Sequence, residues 1–165
     1  AVPEIIEENG GTPVRTRVGH SFIKAKMAET GAIFGGEHSA HYYFTEIFNA
    51  DSGMLAAMHV LAALGHQDKP LSEMMAAYNR YEASGEINSR VADQKESTQQ
   101  VLDAFADRID SIDTLDGVTV QLKGTPAWFN VRGSNTEPLL RLNVEAPTRA
   151  EVDALVDEIL GIIRR

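Results

Sequence analysis

The stretch with the clearest chemical capacity is Arg132-Gly133-Ser134-Asn135-Thr136-Glu137-Pro138. Its residue types suit a phosphate dianion. Arg132 offers a planar fork of donors that meets phosphate oxygens two at a time. Ser134 and Thr136 offer hydroxyls, and Asn135 offers an amide donor. Gly133 lets the backbone approach closely, so that main-chain N–H groups can join in. Pro138 cannot donate to a strand ladder and closes the loop. His38 and His41 could begin a metal site, but no third ligand stands at a sensible spacing, so no metal is expected in this chain.

Composition narrows what such a loop could serve. The chain has 165 residues, a net charge of −9 and 43% hydrophobic residues, enough for one ordinary domain or two small packed ones. An acidic balance without a basic stripe argues against nucleic acid. A phosphate ligand then needs local positive charge, which Arg132 supplies. Without cysteine there are neither disulfides nor thiolate metal sites, and a reducing cytoplasm is the expected compartment. No apolar run approaches the roughly 20 residues that span a bilayer, and no membrane partner is expected. The chain starts at Ala1, directly in a helix-like segment, and reads as a piece of a longer protein.

The loop must be held by regular elements, and hydrophobic periodicity predicts them. Ala1–Asn9 reads as a helix with Pro3 in its first turn, stopped by Gly10-Gly11. Pro13–Val18 alternates as a strand. A helix opens at Gly19-His20-Ser21 and runs to about Thr30, with Phe22, Ile23 and Met27 on its apolar face and Gly31 as its close. Ala32–Phe34 reads as a short buried strand, and His41–Phe44 as extended. Asp51 is the expected N-cap of a helix to Leu64 whose stripe of Met54, Leu55, Met58, Leu61 and Ala62 faces a core. Pro70 starts another helix through Met74, Met75 and Tyr78. These alternating elements predict an α/β layered domain over residues 1–81.

The pattern changes at Ser84-Gly85, which reads as a hinge. Ile87–Val91 is a predicted strand. Ser97 and Gln100 form a capping-box pair opening a helix with Val101, Leu102, Phe105 and Ile109 inward. Asp116-Gly117 is a turn. Val118–Leu122, Ala127–Val131 and Leu139–Val144 are predicted strands, and Thr148 with Glu151 caps a last helix. Residues 84–165 thus read as β-α-β-β-β-α, an α+β domain with helices on one face of an antiparallel sheet.

The string Arg132–Pro138 resembles the phosphate-binding loop of the α-D-phosphohexomutase superfamily, Arg-x-Ser-Asn-Thr-x-Pro. Upstream, Gly35-Gly36-Glu37-His38-Ser39-Ala40-His41 resembles its sugar-recognition loop. Within the superfamily the phosphomannomutase/phosphoglucomutase group is the nearest resemblance, and it covers nearly every residue. It implies that residues 1–81 are the third of four domains, lacking its first strand, and residues 84–165 the fourth. A missing strand would weaken the first half or let it self-associate through the open sheet edge.

The resemblance also implies roles. Arg132, Gly133, Ser134, Asn135 and Thr136 would clamp the phosphate that is not reacting. Glu37 and Ser39 would hold the sugar's 3- and 4-hydroxyls, with Gly36, His41 and His20 nearby. Lys24 aligns with a family lysine but reads as a solvated helix face, and His38 as a residue that shapes the loop. Ala40 stands where many members have glycine; alanine can keep the loop if φ stays negative, but it narrows the allowed backbone. No catalytic residue is expected in this chain. The family's phosphoserine loop and its Asp-Gly-Asp magnesium loop belong to the first two domains, so Mg2+ and a hexose 1,6-bisphosphate intermediate would be features of the complete enzyme and the chain alone would be inactive. The expected partners are a mannose or glucose phosphate and those N-terminal domains. The alternatives are a phosphoglucosamine mutase, whose loop typically reads Ser-Gly-Thr, and a non-catalytic sugar-phosphate-binding module.

Overall fold

In a computed structural model, which describes residues 1–134 and 136–164, the chain divides into two units between Asn79 and Arg80. The first is α/β and the second α+β, with helices packed on an antiparallel sheet.

The first unit opens with α1 (Val2–Glu8), with proline in its first turn. Gly10 then turns the chain at φ 77°. Pro13–Val18 forms no strand, contrary to its alternation: a strand also needs a ladder partner, and Pro13 has no N–H to donate. Helix α2 (His20–Thr30) ends on Gly31 in the left-handed conformation, as its sequence predicts. Strands β1 (Phe34–Gly36), β2 (Tyr42–Phe44) and β3 (Ala50–Asp51) form an antiparallel sheet in that order. The strand expected at Ala32–Phe34 therefore starts two residues later, and Ile33 is 78% exposed. Ile23 and Met27 of α2 pack with Tyr43 of β2. Gly35 makes that contact possible, because a Cβ there would lie 3.0 Å from Ile23 and 3.1 Å from Met27.

Helix α3 (Gly53–Gly65) is capped by the Ser52 hydroxyl, which accepts from Leu55 N–H, and not by Asp51. Its predicted core stripe is not buried: Met54 is 77% exposed and Leu61 60%. Helix α4 (Leu71–Ala76) stops short of Tyr78.

The second unit contains β4 (Glu82–Ala83), β5 (Ile87–Arg90), α5 (Gln94–Phe105), β6 (Ile109–Asp113), β7 (Val118–Leu122), β8 (Trp128–Gly133), β9 (Leu139–Ala146) and α6 (Arg149–Ile163). The sheet order is β4-β9-β8-β7-β6, and β5 also pairs with β9. Phe129 and Val131 of β8 and Leu140, Leu142 and Val144 of β9 point into one core with Val101 and Phe105 of α5 and Val152, Leu155 and Ile159 of α6. The alternate residues of β8 and β9 are half-buried on the other face.

Three expectations change here. Helix α5 is capped by Asp93, whose carboxylate accepts from the N–H groups of Lys95 and Glu96, so it starts before the Ser97–Gln100 pair. Ile109 belongs to a strand, β6, that helical periodicity had absorbed. Ser84 is built into the sheet and is not a free hinge: its N–H donates to the Val144 carbonyl and its hydroxyl accepts from Val144 N–H, both at 2.9 Å. The capping box of Thr148 and Glu151 forms as the sequence predicts.

Candidate functional site

The phosphate-loop residues sit where β8 gives way to β9. Arg132 and Gly133 belong to β8, while Ser134 and Thr136 follow it; Asn135 lies outside the described residues. Strand pairing places Arg132 directly across from Arg141. Side chains alternate along each strand, so both guanidiniums occupy the sheet face away from the helices.

Two carboxylates reach this pair. Arg132 Nη1 donates to Asp116 Oδ2 at 3.0 Å. Glu86 Oε2 lies 3.6 Å from Arg132 Nη2 and 3.6 Å from Arg141 Nη1. Arg141 Nε is buried without a hydrogen-bond partner among the described residues. Gly117 seats the Asp116 turn against Arg132: at φ 73°, a Cβ would fall 2.7 Å from the Val131 carbonyl oxygen and 2.8 Å from Arg132 Cβ.

Gln94, the first residue of α5, staples the loop backbone. Its Nε2 donates to the carbonyls of Ser134, Glu137 and Leu139 at 3.0–3.1 Å. Gly133 leaves room for it, since a Cβ there would lie 2.5 Å from Gln94 Oε1 and the amide would have to shift. Ser134 Oγ accepts long bonds from the N–H groups of Thr136 and Glu137 and lies 3.5 Å from Thr136 Oγ1.

In the first unit, Glu37–His41 closes the β1–β2 hairpin. Ala40 N–H donates to the Glu37 carbonyl at 3.0 Å, and Glu37 N–H to the His41 carbonyl at 2.9 Å. Ala40 adopts φ 65°, not a negative φ, so an alanine bears the steric cost of a left-handed position that suits glycine.

Glu37, Ser39, His41 and His20 come together around a cleft of about 400 Å3 that Tyr43 and Asp51 also line. The buried Tyr43 hydroxyl donates to Glu37 Oε1, and Ser39 Oγ donates to Oε2 at 3.4 Å. Burial first, and the Glu37 carboxylate second, push the Tyr43 phenol upward, so it stays a neutral donor. His41 Nδ1 is paired with Asp51 Oδ2 at 2.9 Å, a hydrogen bond that holds Asp51 below the usual carboxylate range. Gly36 ends β1 opposite Tyr42, while Lys24 and His38 are exposed outside this cleft.

The arrangement therefore provides a carboxylate with aligned donors, suited to sugar hydroxyls, and two guanidiniums with hydroxyls beside them, suited to an anion. Sequence reading missed Tyr43, Asp51, Gln94, Glu86 and Arg141. None of the five left a local signal for such a role: the predicted strands would pair Val131 with Leu139 and leave Arg132 opposite Pro138, whereas the folded register pairs Arg132 with Arg141.

Two family models match the chain: "Phosphoglucomutase/phosphomannomutase, alpha/beta/alpha domain III" over residues 1–81, and "Phosphoglucomutase/phosphomannomutase, C-terminal domain" over residues 86–162. The chain is 44% identical over 164 residues to a phosphomannomutase of Methanocaldococcus jannaschii, covering 99% of the chain and 36% of that protein. It is 38% identical to a phosphomannomutase of Escherichia coli, covering 98% of the chain and 35% of that protein. It is also similar to the crystal structure of a phosphoglucomutase/phosphomannomutase family protein from Burkholderia thailandensis. The TM-score there is 0.80, at 28% identity over 99% of the chain and 35% of that structure. The chain thus spans about a third of the length of the relatives it matches.

Proposed function

The chain belongs to the phosphoglucomutase/phosphomannomutase family, and from that premise we propose that it is the sugar-phosphate-gripping part of an enzyme interconverting hexose 1-phosphates and hexose 6-phosphates. In this reading an upstream phosphoserine donates its phosphoryl group, a hexose bisphosphate turns over, and the other phosphate returns to the serine. One pocket must therefore accept both ends of one sugar in turn, which calls for a fixed phosphate clamp and a separate grip on the hydroxyls.

The observation that carries this reading is the position of Arg132. Its guanidinium projects from the end of β8, where the strand pairs with β9, and is oriented by Asp116, with the hydroxyls of Ser134 and Thr136 following it. Arg132, Gly133, Ser134, Asn135 and Thr136 hold the non-reacting phosphate, and Arg141 adds charge. Glu37 accepts from the sugar's 3- and 4-hydroxyls while Tyr43 and Ser39 hold its carboxylate in place, and His41 and His20 border the same cleft. Mannose and glucose share configuration at those two carbons, so the grip does not separate them. Discrimination above about a hundredfold, or about 2.7 kcal/mol, would require another group to read carbon 2.

Among the described residues, no group of three or more His, Asp or Glu side chains gathers as a metal would require. In this reading the magnesium loop and the phosphoserine belong to the upstream domains of the complete enzyme. No helix among the described residues is long and apolar enough to cross a membrane.

The test is a titration of the chain with mannose 1-phosphate, read by amide NMR. Shifts at Arg132–Thr136 that vanish in Arg132→Ala, together with shifts at Gly36–His41, are expected. Shifts at neither loop with millimolar ligand, in this chain and in a full-length relative alike, would sink the reading.

A further inference from the structure

Arg132 and Arg141 are not waiting as bare cations. Glu86 and Asp116 bring two carboxylates to two guanidiniums, so this corner of the sheet carries no formal net charge. The chain's overall charge of −9 offers an anion no help from a distance.

The two carboxylates are held differently. Asp116 makes a well-formed hydrogen bond to Arg132 at 3.0 Å, on a turn that Gly117 presses against the strand. Among the described residues, Glu86 makes no contact of that quality. Its Oε2 lies 3.6 Å from both guanidiniums, and its Oε1 lies 3.5 Å from Asn88 Nδ2. At such distances attraction between charges remains, but hydrogen bonding is largely absent. Glu86 also directly follows Gly85, which stands at φ 68°.

We propose that Glu86 is a built-in stand-in for the ligand's anion and sets a charge threshold at this half-site, one that a dianionic phosphate monoester passes and a singly charged anion does not. The proposal rests on the reading of Arg132–Thr136 as a phosphate loop. A single negative charge that displaces Glu86 replaces like with like and gains little from the arginines. A dianion replaces one negative charge with two and gives both guanidiniums the short, forked hydrogen bonds that Glu86 lacks. Asp116 stays in place throughout and keeps Arg132 oriented. Glu86 thus sets how much the half-site must gain from an anion, and Asp116 is a positioning residue.

A matched pair of probes tests this on the 165-residue chain at pH 7.5. Methyl phosphate, a monoester with a second pKa of about 6, is a dianion at that pH, whereas dimethyl phosphate keeps one charge. Binding of each is followed by the amide shifts of Gly133 and Ser134. The native chain is expected to prefer methyl phosphate. Glu86→Gln, which keeps the shape and removes the charge, should tighten both probes roughly three- to tenfold and bring dimethyl phosphate into measurable range. Glu86→Asp should retain the preference, and Asp116→Asn should weaken both probes. Unchanged or weaker binding of both probes in Glu86→Gln would overturn the threshold. Should neither probe bind the native chain, or should Arg132→Ala bind as well as native, the phosphate-loop reading itself fails. Binding that depends on Arg132 but ignores Glu86→Gln removes only the threshold.

Discussion

Residues 80–165 close a hydrophobic core around Phe105 and Phe129, whereas residues 1–79 gather only Ile23, Met27 and Tyr43 into one. The reason is geometric. In the second unit, strands of five to eight residues and two helices of 12 and 15 residues cover each other's apolar faces. In the first, the 13 residues of α3 extend about 20 Å, while strands of two or three residues reach only about 10 Å. Met54, Met58 and Leu61 consequently remain exposed. A cleft of about 840 Å3 in that unit is lined mainly by apolar side chains such as Phe34, Phe44 and Leu61, and shares no lining residue with the cleft around Glu37. The difference teaches where each half of the candidate site gets its rigidity: Arg132 from a strand paired on both sides, Glu37 from a hairpin turn over a small core.

Several substitutions would sharpen or break this contrast. The largest effect is expected for Phe129→Ala. Phe129 is fully buried, with its ring edge-on to Phe105 at 5.0 Å, and its loss should cost about 3–5 kcal/mol. Trp128 is the only tryptophan, so its fluorescence during urea unfolding reports the second unit alone. A loss below about 1 kcal/mol would mean that this core is far looser than its burial implies.

A smaller effect is expected at the cap of α5. Asp93→Ala should lower the unfolding midpoint of the second unit at pH 7, while Asp93→Asn should nearly preserve it. The N–H groups of Glu96, then Lys95, hold the Asp93 carboxyl below its ordinary value. Because the folded pKa is depressed, the carboxylate's contribution is fully present above its unfolded value of about 4 and is lost as pH falls through the folded value. The difference between native and Asp93→Ala should therefore shrink in acid. A difference that grew as pH fell would reverse that assignment.

The smallest effect is expected for Met58→Gln on α3. An exposed position should tolerate it within about 0.5 kcal/mol, measured by unfolding followed through circular dichroism. A cost near that of a core substitution would break the comparison, because it would place the α3 stripe in a buried contact in solution. Sedimentation of the same variant would show whether that contact is between copies of the chain, through self-association of the first unit.

The sequence by itself determined the two-part order of elements, the alternation of β7, β8 and β9, the capping box of α6 and the glycine stop of α2. Each follows from side-chain period or from backbone preferences acting within a few residues. It also placed Arg132, Ser134 and Thr136 in one short segment, since those residues are neighbours in the chain. Tertiary structure alone decided which apolar stripes were buried: Met54 and Leu155 look alike as periodic residues, but only Leu155 meets a sheet large enough to cover it. It decided that Asp51 partners His41 and leaves capping to Ser52. It also brought Glu86, Asp116 and Gln94 to the phosphate loop from positions far away in sequence. Such contacts depend on strand register and on which turn rests on which strand, and no local pattern encodes them.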